Sequence, residues 1–429
     1  MALRTYEEVR RYLYGLKNKG SKYGIDRMVL LSKLIGHPEL NYPIIHVAGT
    51  NGKGSTCAML ERIYRRNGYK TGLFTSPHLV YQGERVQVNR RILDRESIVE
   101  YTNRLKVHVE MLATNDPEDH PSFFELITAI AFMCFSDEEV DIGIIETGLG
   151  GRRDASNIVD PEISVITSIS LDHCDILGHT LEMIAAEKGG IIKEGKPVVL
   201  GHIPDCAEAV LRKIAQERNA EVRSIHERFG FEPKCCPSTN LEGDYQRWNA
   251  ATATLVVETL NERVPVRMEE VGPALRDVYW PGRWDAYQVG DHLVYLDASH
   301  NPEGVEGLAD NLERLIRERR RKPVILAGTL GSYRASVLMP VVAQFAKQIF
   351  LLESVQPRAA SFQVLRDSIP HDYCGAVVES SVREIFPTPG LCTCAEPHDI
   401  IVATGSIYLI GEIMEAINNR LPVGEHILQ

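Results

Sequence analysis

The chain has 429 residues, 44% of them hydrophobic and 24% charged, with a formal net charge of −11. That length has room for two or three domains with a core in each, and the acidic balance argues against nucleic acid or an anionic membrane surface as partner. The start, MALRTYEEVRRYLYG, is charged and amphipathic without an apolar signal core, and the longest apolar stretch, 126–135, is too short to span a bilayer. A cytoplasmic monomer is the expectation.

Up to about residue 205, short β-rich runs alternate with helical segments, as a parallel sheet with crossover helices requires. Strands are expected at 43–48, 69–75, 140–146, 162–169 and 197–201, and helices at 56–67, 95–113 and 122–136. The first strand runs into HVAGTNGKGST, residues 46–56, so a strand, a glycine-rich turn and a helix start follow one another. Backbone N–H groups of such a turn, with the positive end of the helix dipole, suit a polyphosphate. Gly49, Gly52 and Gly54 permit close backbone approach, and Lys53 can reach the outer phosphates. A full Walker sequence would place Gly at 47 and Ser or Thr directly after the lysine; here Val47 and Gly54 stand there, with Ser55 and Thr56 displaced. The pattern reads as an ATP site, with an ordinary glycine-rich turn as the bland alternative.

Residues 227–245 read as a loop or small hairpin, followed by a helix over WNAATATLVVETL. A new series of strands follows at 293–298, 323–328, 348–352, 374–378 and 399–404, which defines a second α/β domain. The expected division is 1–289 and 290–429, with the linker at 285–291. The fold class is α/β: a mostly parallel sheet domain carrying the phosphate loop, then a smaller Rossmann-like domain. The nine cysteines show no zinc-knuckle spacing; Cys235-Cys236 and Cys392-x-Cys394 are the close pairs, and reduced thiols are expected.

Ligands of open parallel sheets lie at the carboxyl ends of the strands. Ser76 follows the second strand, Glu146 ends the third, and Asp172-His173 follows the fourth. Ser76, Glu146 and His173 make a plausible ligand set for Mg²⁺ beside a phosphate loop. Lys188 ends a helix expected to be capped by Thr180; it is either a solvated lysine favoured by the dipole or an inward-facing group. In the second half Arg283 could clamp a phosphate, Asp297 ends a strand, and Asn301-Pro302 has the form of a helix start.

These motifs together resemble the folylpolyglutamate synthase / dihydrofolate synthase branch of the Mur ligase superfamily. The resemblance rests on HVAGTNGKGST, TSPHL with GERV, FFELITAIAF, ETGLGGRRDASN, SLDHCDILG, AAEKGGIIK, DYQRWNAATA, WPGRW, DASHNP and ATGSIYLIGE, in the family's order over nearly the whole chain. One stretch departs: an Asp-Lys-Asp-like element is expected after 323–328, and the chain reads GTLGSYRAS. The resemblance implies an ATP- and Mg²⁺-dependent ligase that joins L-glutamate to dihydropteroate or a reduced folate through an acyl phosphate. It implies a nucleotide site from Gly49, Thr50, Asn51, Gly52, Lys53, Gly54, Ser55, Thr56, Asn249, Arg283 and Asp297. Ser76, Glu146, His173 and a carbamoylated Lys188 match metal ligands. His300 and Ser406 match positions near glutamate, and Arg85 matches a contact to a substrate carboxylate. Another Mur-type amino-acid ligase and a non-catalytic nucleotide-binding protein are the alternatives.

Overall fold

The computed structural model describes residues 3–17, 24–115 and 119–418; the ends of the expected domains, 1–2 and 419–429, lie outside them. The first sheet has eight strands: β1 (Ile44–Ala48), β2 (Thr71–Phe74), β3 (Val86–Val88), β4 (Arg91–Ile92), β5 (Ile142–Glu146), β6 (Ile163–Ser168), β7 (Val198–His202) and β8 (Val222–Ser224). Their order is β4-β3-β2-β5-β1-β6-β7-β8. β1 pairs in parallel with both β5 and β6, while β3 and β4 add an antiparallel edge. Five expected strands are present; β3, β4 and β8, of two or three residues each, are too short to show a period in the sequence.

The central strands are buried along their whole length, IIHVA in β1 and IGIIE in β5, because helices cover both faces. On one face Val9, Met28, Ile98, Leu105 and Phe132 pack from four helices. On the other, Met59, Leu60 and Ile63 of the helix Lys53–Arg66 meet Val256 and Leu260 of the helix Asp244–Leu260. The helix Phe123–Asp137 starts with a capping box in which Ser122 and Glu125 exchange backbone contacts. The same Glu125 carboxylate forms a buried ion pair with Arg27, Nη2 to Oε2 2.9 Å. The segment expected to be a loop or hairpin holds the short helix Ile225–Phe229 and a 3₁₀ turn, with no strand pair.

The second sheet contains β9 (Arg283–Val289), β10 (His292–Asp297), β11 (Val324–Ala327), β12 (Gln348–Leu352), β13 (Ala376–Ser380) and β14 (Ile400–Thr404), in the order β13-β12-β11-β14-β10-β9. The expected linker, 285–291, is mostly strand: β9 pairs antiparallel with β10, so the second sheet begins at Arg283. The alternation that reveals this is plain only once a partner strand is known, since Asp285, Tyr287 and Gln288 read as a polar connection. The thiols are free; Cys236 lies in the first domain's core, and Cys392 and Cys394 in the second's.

Truncating Arg27 to alanine would leave the Glu125 carboxylate buried without its cation. The expected cost is about 3–5 kcal/mol, read as a fall in the urea midpoint with unchanged slope.

Candidate active site

The phosphate loop is stapled to the carboxyl end of β6. Thr50 N donates to Ser168 O at 2.9 Å, Asn51 N to Ser168 Oγ at 3.0 Å, and Thr167 Oγ1 to Asn51 O at 2.6 Å. Gly52 caps the helix Lys53–Arg66 at φ 79°, where a Cβ would run into the Asn249 side chain. Asn249 therefore packs against the loop. Gly54 faces the Trp280 ring, and Ser55 and Thr56 are buried with Thr56 Oγ1 lacking a hydrogen-bond partner.

Two ammonium groups converge on one carbonyl. Lys53 Nζ donates to Gly49 O and Thr50 O, both at 3.0 Å, and Lys188 Nζ donates to Gly49 O at 2.7 Å. Lys188 ends the helix Leu181–Lys188, whose cap is Thr180, but it is 4% exposed and not a solvated lysine. Burial, then the neighbouring Lys53, draws its pKa down to about 7.

At the end of β5, Glu146 is 3% exposed and its Oε2 accepts from Ser76 N at 3.1 Å. Burial pushes its pKa up to about 7 against the opposing pull of Lys53, the Ser76 amide, Arg283 and Arg85. Among the described residues Glu146 makes no ion pair. Buried Arg85 donates to His78 Nδ1 at 2.8 Å, and burial lowers its pKa to about 10.

His173 lies within electrostatic reach of Lys53 and Lys188, and burial lowers its pKa. Its backbone is left-handed at φ 50°, and its Nε2 lies 4.0 Å from Asp172 Oδ2. Among the described residues no three His, Cys, Asp or Glu side chains converge at metal distance. The donors nevertheless fit Mg²⁺, which keeps several waters and takes only one or two carboxylates: Glu146 is buried without an ion-pair partner among the described residues, and its carboxylate is held next to Ser76 by the Ser76 amide.

The second domain delivers its candidates to the same region. Arg283 and Asp297 are cross-strand partners in β9 and β10, and Asp297 is 1% exposed, with burial raising its pKa. His300 Nδ1 sits 2.8 Å from Ala298 O, and burial holds its pKa down at about 4. Ser406, buried after β14, accepts from Tyr408 N at 3.2 Å.

Contacts between the domains involve Asn51 of the phosphate loop and residues that sequence reading gave no site role: Asn301, Glu303, Ser168, Asp172 and Arg334. Asn301 caps its helix through Gly304 N, as its sequence suggests, and also exchanges side-chain hydrogen bonds with Asn51 at 3.0 and 3.1 Å. Glu303 accepts from Asn51 Nδ2 at 2.6 Å and Ser168 Oγ at 3.2 Å. Asp172 accepts from Asn301 and Arg334, each at 3.1 Å. Adjacency to His173 marks Asp172, but no spacing rule links it to residues 129 and 162 positions away.

Gly52→Ala adds a left-handed penalty of about 1–2 kcal/mol and the Asn249 clash. Gly36, at φ 83° with nothing within 4 Å of a Cβ, pays the backbone penalty alone. In thermal unfolding Gly52→Ala is expected to lose more stability than Gly36→Ala.

The Mur ligase middle domain model matches residues 47–234. The dihydrofolate synthase/folylpolyglutamate synthase of Bacillus subtilis is 36% identical over 437 residues, covering 96% of this chain and 99% of the relative. The folylpolyglutamate synthase of Lacticaseibacillus casei is 29% identical, with 96% and 99% covered. Among solved structures, E. coli FolC in complex with DHPP and ADP superimposes with TM-score 0.83 at 27% identity, over 98% of this chain and 99% of that one. Thermotoga maritima folylpolyglutamate synthase gives 0.82 at 27%, over 99% of both chains. These relatives do not favour a Mur ligase of another substrate class or a non-catalytic protein. No helix among the described residues is long and apolar enough to cross a membrane. The match over nearly the whole chain, with the phosphate loop and its two lysines in place, shows that this chain belongs to the dihydrofolate synthase/folylpolyglutamate synthase family.

Proposed function

We propose that the protein joins L-glutamate to the carboxylate of a reduced folate, of dihydropteroate, or of both, at the expense of ATP. The observation that carries this reading is the convergence of Lys53 and Lys188 on Gly49 O, beside the buried Glu146 carboxylate and at the junction of the domains. A carboxylate is a poor acyl donor. Transfer of the γ-phosphoryl group of ATP to it releases ADP and makes an acyl phosphate. The glutamate amine then attacks the acyl carbon, phosphate leaves and the amine loses a proton, giving the amide.

The loop residues 49–56 cradle the phosphates, and Lys53 leaves its two carbonyl partners to meet the transferred group. Asn249, Arg283 and Asp297 hold the nucleotide. Arg85 meets the carboxylate of the pterin-bearing substrate, while His300 and Ser406 line the glutamate side. Ser76, Glu146, His173 and a carbamate on Lys188 would hold Mg²⁺, which would supply neutralising charge for the phosphates. Carbon dioxide adds to the neutral Lys188 amine with loss of a proton, turning a cation into an anion of the oxygen type that Mg²⁺ prefers. All these groups come from one chain, so a monomer suffices, and the cytoplasm holds its substrates.

Assay with ATP, glutamate and either dihydropteroate or tetrahydrofolate tests the reading. ADP and phosphate are the expected products, formed only when both acceptor and glutamate are present; AMP and pyrophosphate would refute the acyl-phosphate route. Lys53→Ala is expected to lose about 2–3 kcal/mol of transition-state stabilisation, roughly 30- to 150-fold in kcat/KM, without unfolding.

Lys188→Ala is expected to be nearly inactive, with partial rescue by short carboxylic acids that fill the vacated oxygen positions. In ¹³C NMR with labelled bicarbonate, wild type is expected to give a carbamate signal that this variant lacks. No signal in an active wild type removes the carbamate while leaving the ligase reading in place.

A further inference from the structure

The stretch that departs from the Asp-Lys-Asp-like expectation, GTLGSYRAS at 328–336, contributes a cation to the domain junction. Arg334 lies in the first turn of the helix Gly331–Phe345, directly after β11. Its Nη2 donates to Asp172 Oδ1 at 3.1 Å, and the two side chains are 20% and 14% exposed. Asp172 belongs to the other domain, in the turn between β6 and the short helix Cys174–Leu177.

The Asp172 carboxylate collects more than this one partner. Its Oδ2 accepts from Asn301 Nδ2 at 3.1 Å and lies 3.9 Å from His300 Nε2, while Oδ1 also accepts from His173 N at 2.9 Å. Three residues of the second domain and the amide of His173 therefore share one side chain. Among the described residues Arg334 is the only Lys or Arg within ion-pair distance of it. The imidazole of His300 cannot take its place as a cation, because burial keeps it neutral.

The arginine is held ready for this task. Gly331 N donates to Arg358 O at 3.1 Å and Ala360 N to Thr329 O at 2.8 Å, which pins the turn before the helix on both sides. Thr329 is buried, and Leu330 forms a bridge with Ala359. A guanidinium mounted on a fixed turn loses less freedom on pairing than one on a loose loop.

We propose that Arg334 is a positioning residue of the ligation reaction: its pairing with Asp172 latches the second domain so that His300 and Asn301 face the phosphate loop and His173. The proposal rests on the ligase reading for its kinetic consequences, but the latch itself is a property of the protein without substrate. Arg334 touches no reacting atom. It acts through Asp172, and its contribution belongs to the step that needs both domains, the attack of glutamate, more than to ADP binding, which the phosphate loop of the first domain anchors.

The test combines kinetics with solution scattering on the full chain. Arg334→Ala and Arg334→Gln are expected to lower kcat/KM for glutamate at least tenfold while the dissociation constant for ADP stays within threefold, and Arg334→Lys is expected to recover part of the loss. Circular dichroism checks that each variant is folded, and the glutamine and lysine forms keep the test open if alanine is not. In the Asp172→Asn background, adding Arg334→Ala is expected to cost little more, as partners in one interaction are not additive. Small-angle scattering of the nucleotide-free protein is expected to give a larger radius of gyration for Arg334→Ala than for wild type. Wild-type kcat/KM with an unchanged radius in a folded Arg334→Ala protein overturns the latch, as do losses that multiply with Asp172→Asn. An inactive wild type with the scattering difference intact counts against the ligase reading and leaves the latch standing.

Discussion

The carbonyl oxygen of Gly49 receives both Lys53 and Lys188, and much of the site follows from holding two like charges that close together. Inside a protein, where the effective dielectric falls well below that of water, such a pair is costly unless anions offset it. The surroundings supply them at a distance: Asp172, Asp154 and Glu303 all favour the charged form of Lys188, though burial and Lys53 outweigh them. The loop carbonyls of Gly49 and Thr50 accept from the two ammonium groups. A polyanion entering here exchanges weak carbonyl contacts for full charges, without the protein reorganising a solvent shell.

The junction of the domains has two parts with different physics. Near Gly282, at φ 76°, Leu79 of the first domain and Ile410 of the second both approach the position that a Cβ would take, and Leu79 and Val80 belong to the second domain's apolar core cluster. That part is apolar, and its burial is nondirectional. Toward the phosphate loop the contacts are amides, carboxylates and a guanidinium: Asn51 with Asn301, Ser168 with Glu303, Asp172 with Arg334. These contacts are directional, so they fix how the two domains are set against each other where the apolar burial near Gly282 does not.

The sequence makes the regular parts of this molecule legible. Long buried strands such as β1, β5 and β14 announce themselves as apolar runs ended by Gly, Glu or Thr, and Asn301-Pro302 reads as a helix start because capping is a local matter. The phosphate loop is legible for the same reason. β9 was hidden because an edge strand, half exposed, has no apolar run, and its polar residues resemble a linker. Local pattern leaves Lys188 open between a solvated lysine and an inward-facing one, and the contact of its Nζ with Gly49 O settles it as inward. The Asp172 cluster depends on how two domains meet, and no local pattern encodes that.

The net charge of −11 sets one more constraint on how the site must work. ATP, a folate and glutamate are all anions, and at long range an acidic protein does not steer them in. Beyond a Debye length, about 8 Å at physiological salt, that repulsion is screened. In the proposed site the attraction is short-ranged, from cations set back from solvent: Arg85 is 4% exposed, and Lys53 and Arg283 are half-buried. Set back in this way they contribute little to the outer field but act strongly on a ligand that displaces the local water. Capture by such a site depends on contact geometry more than on encounter, because each anion is held only where it displaces water from these set-back cations.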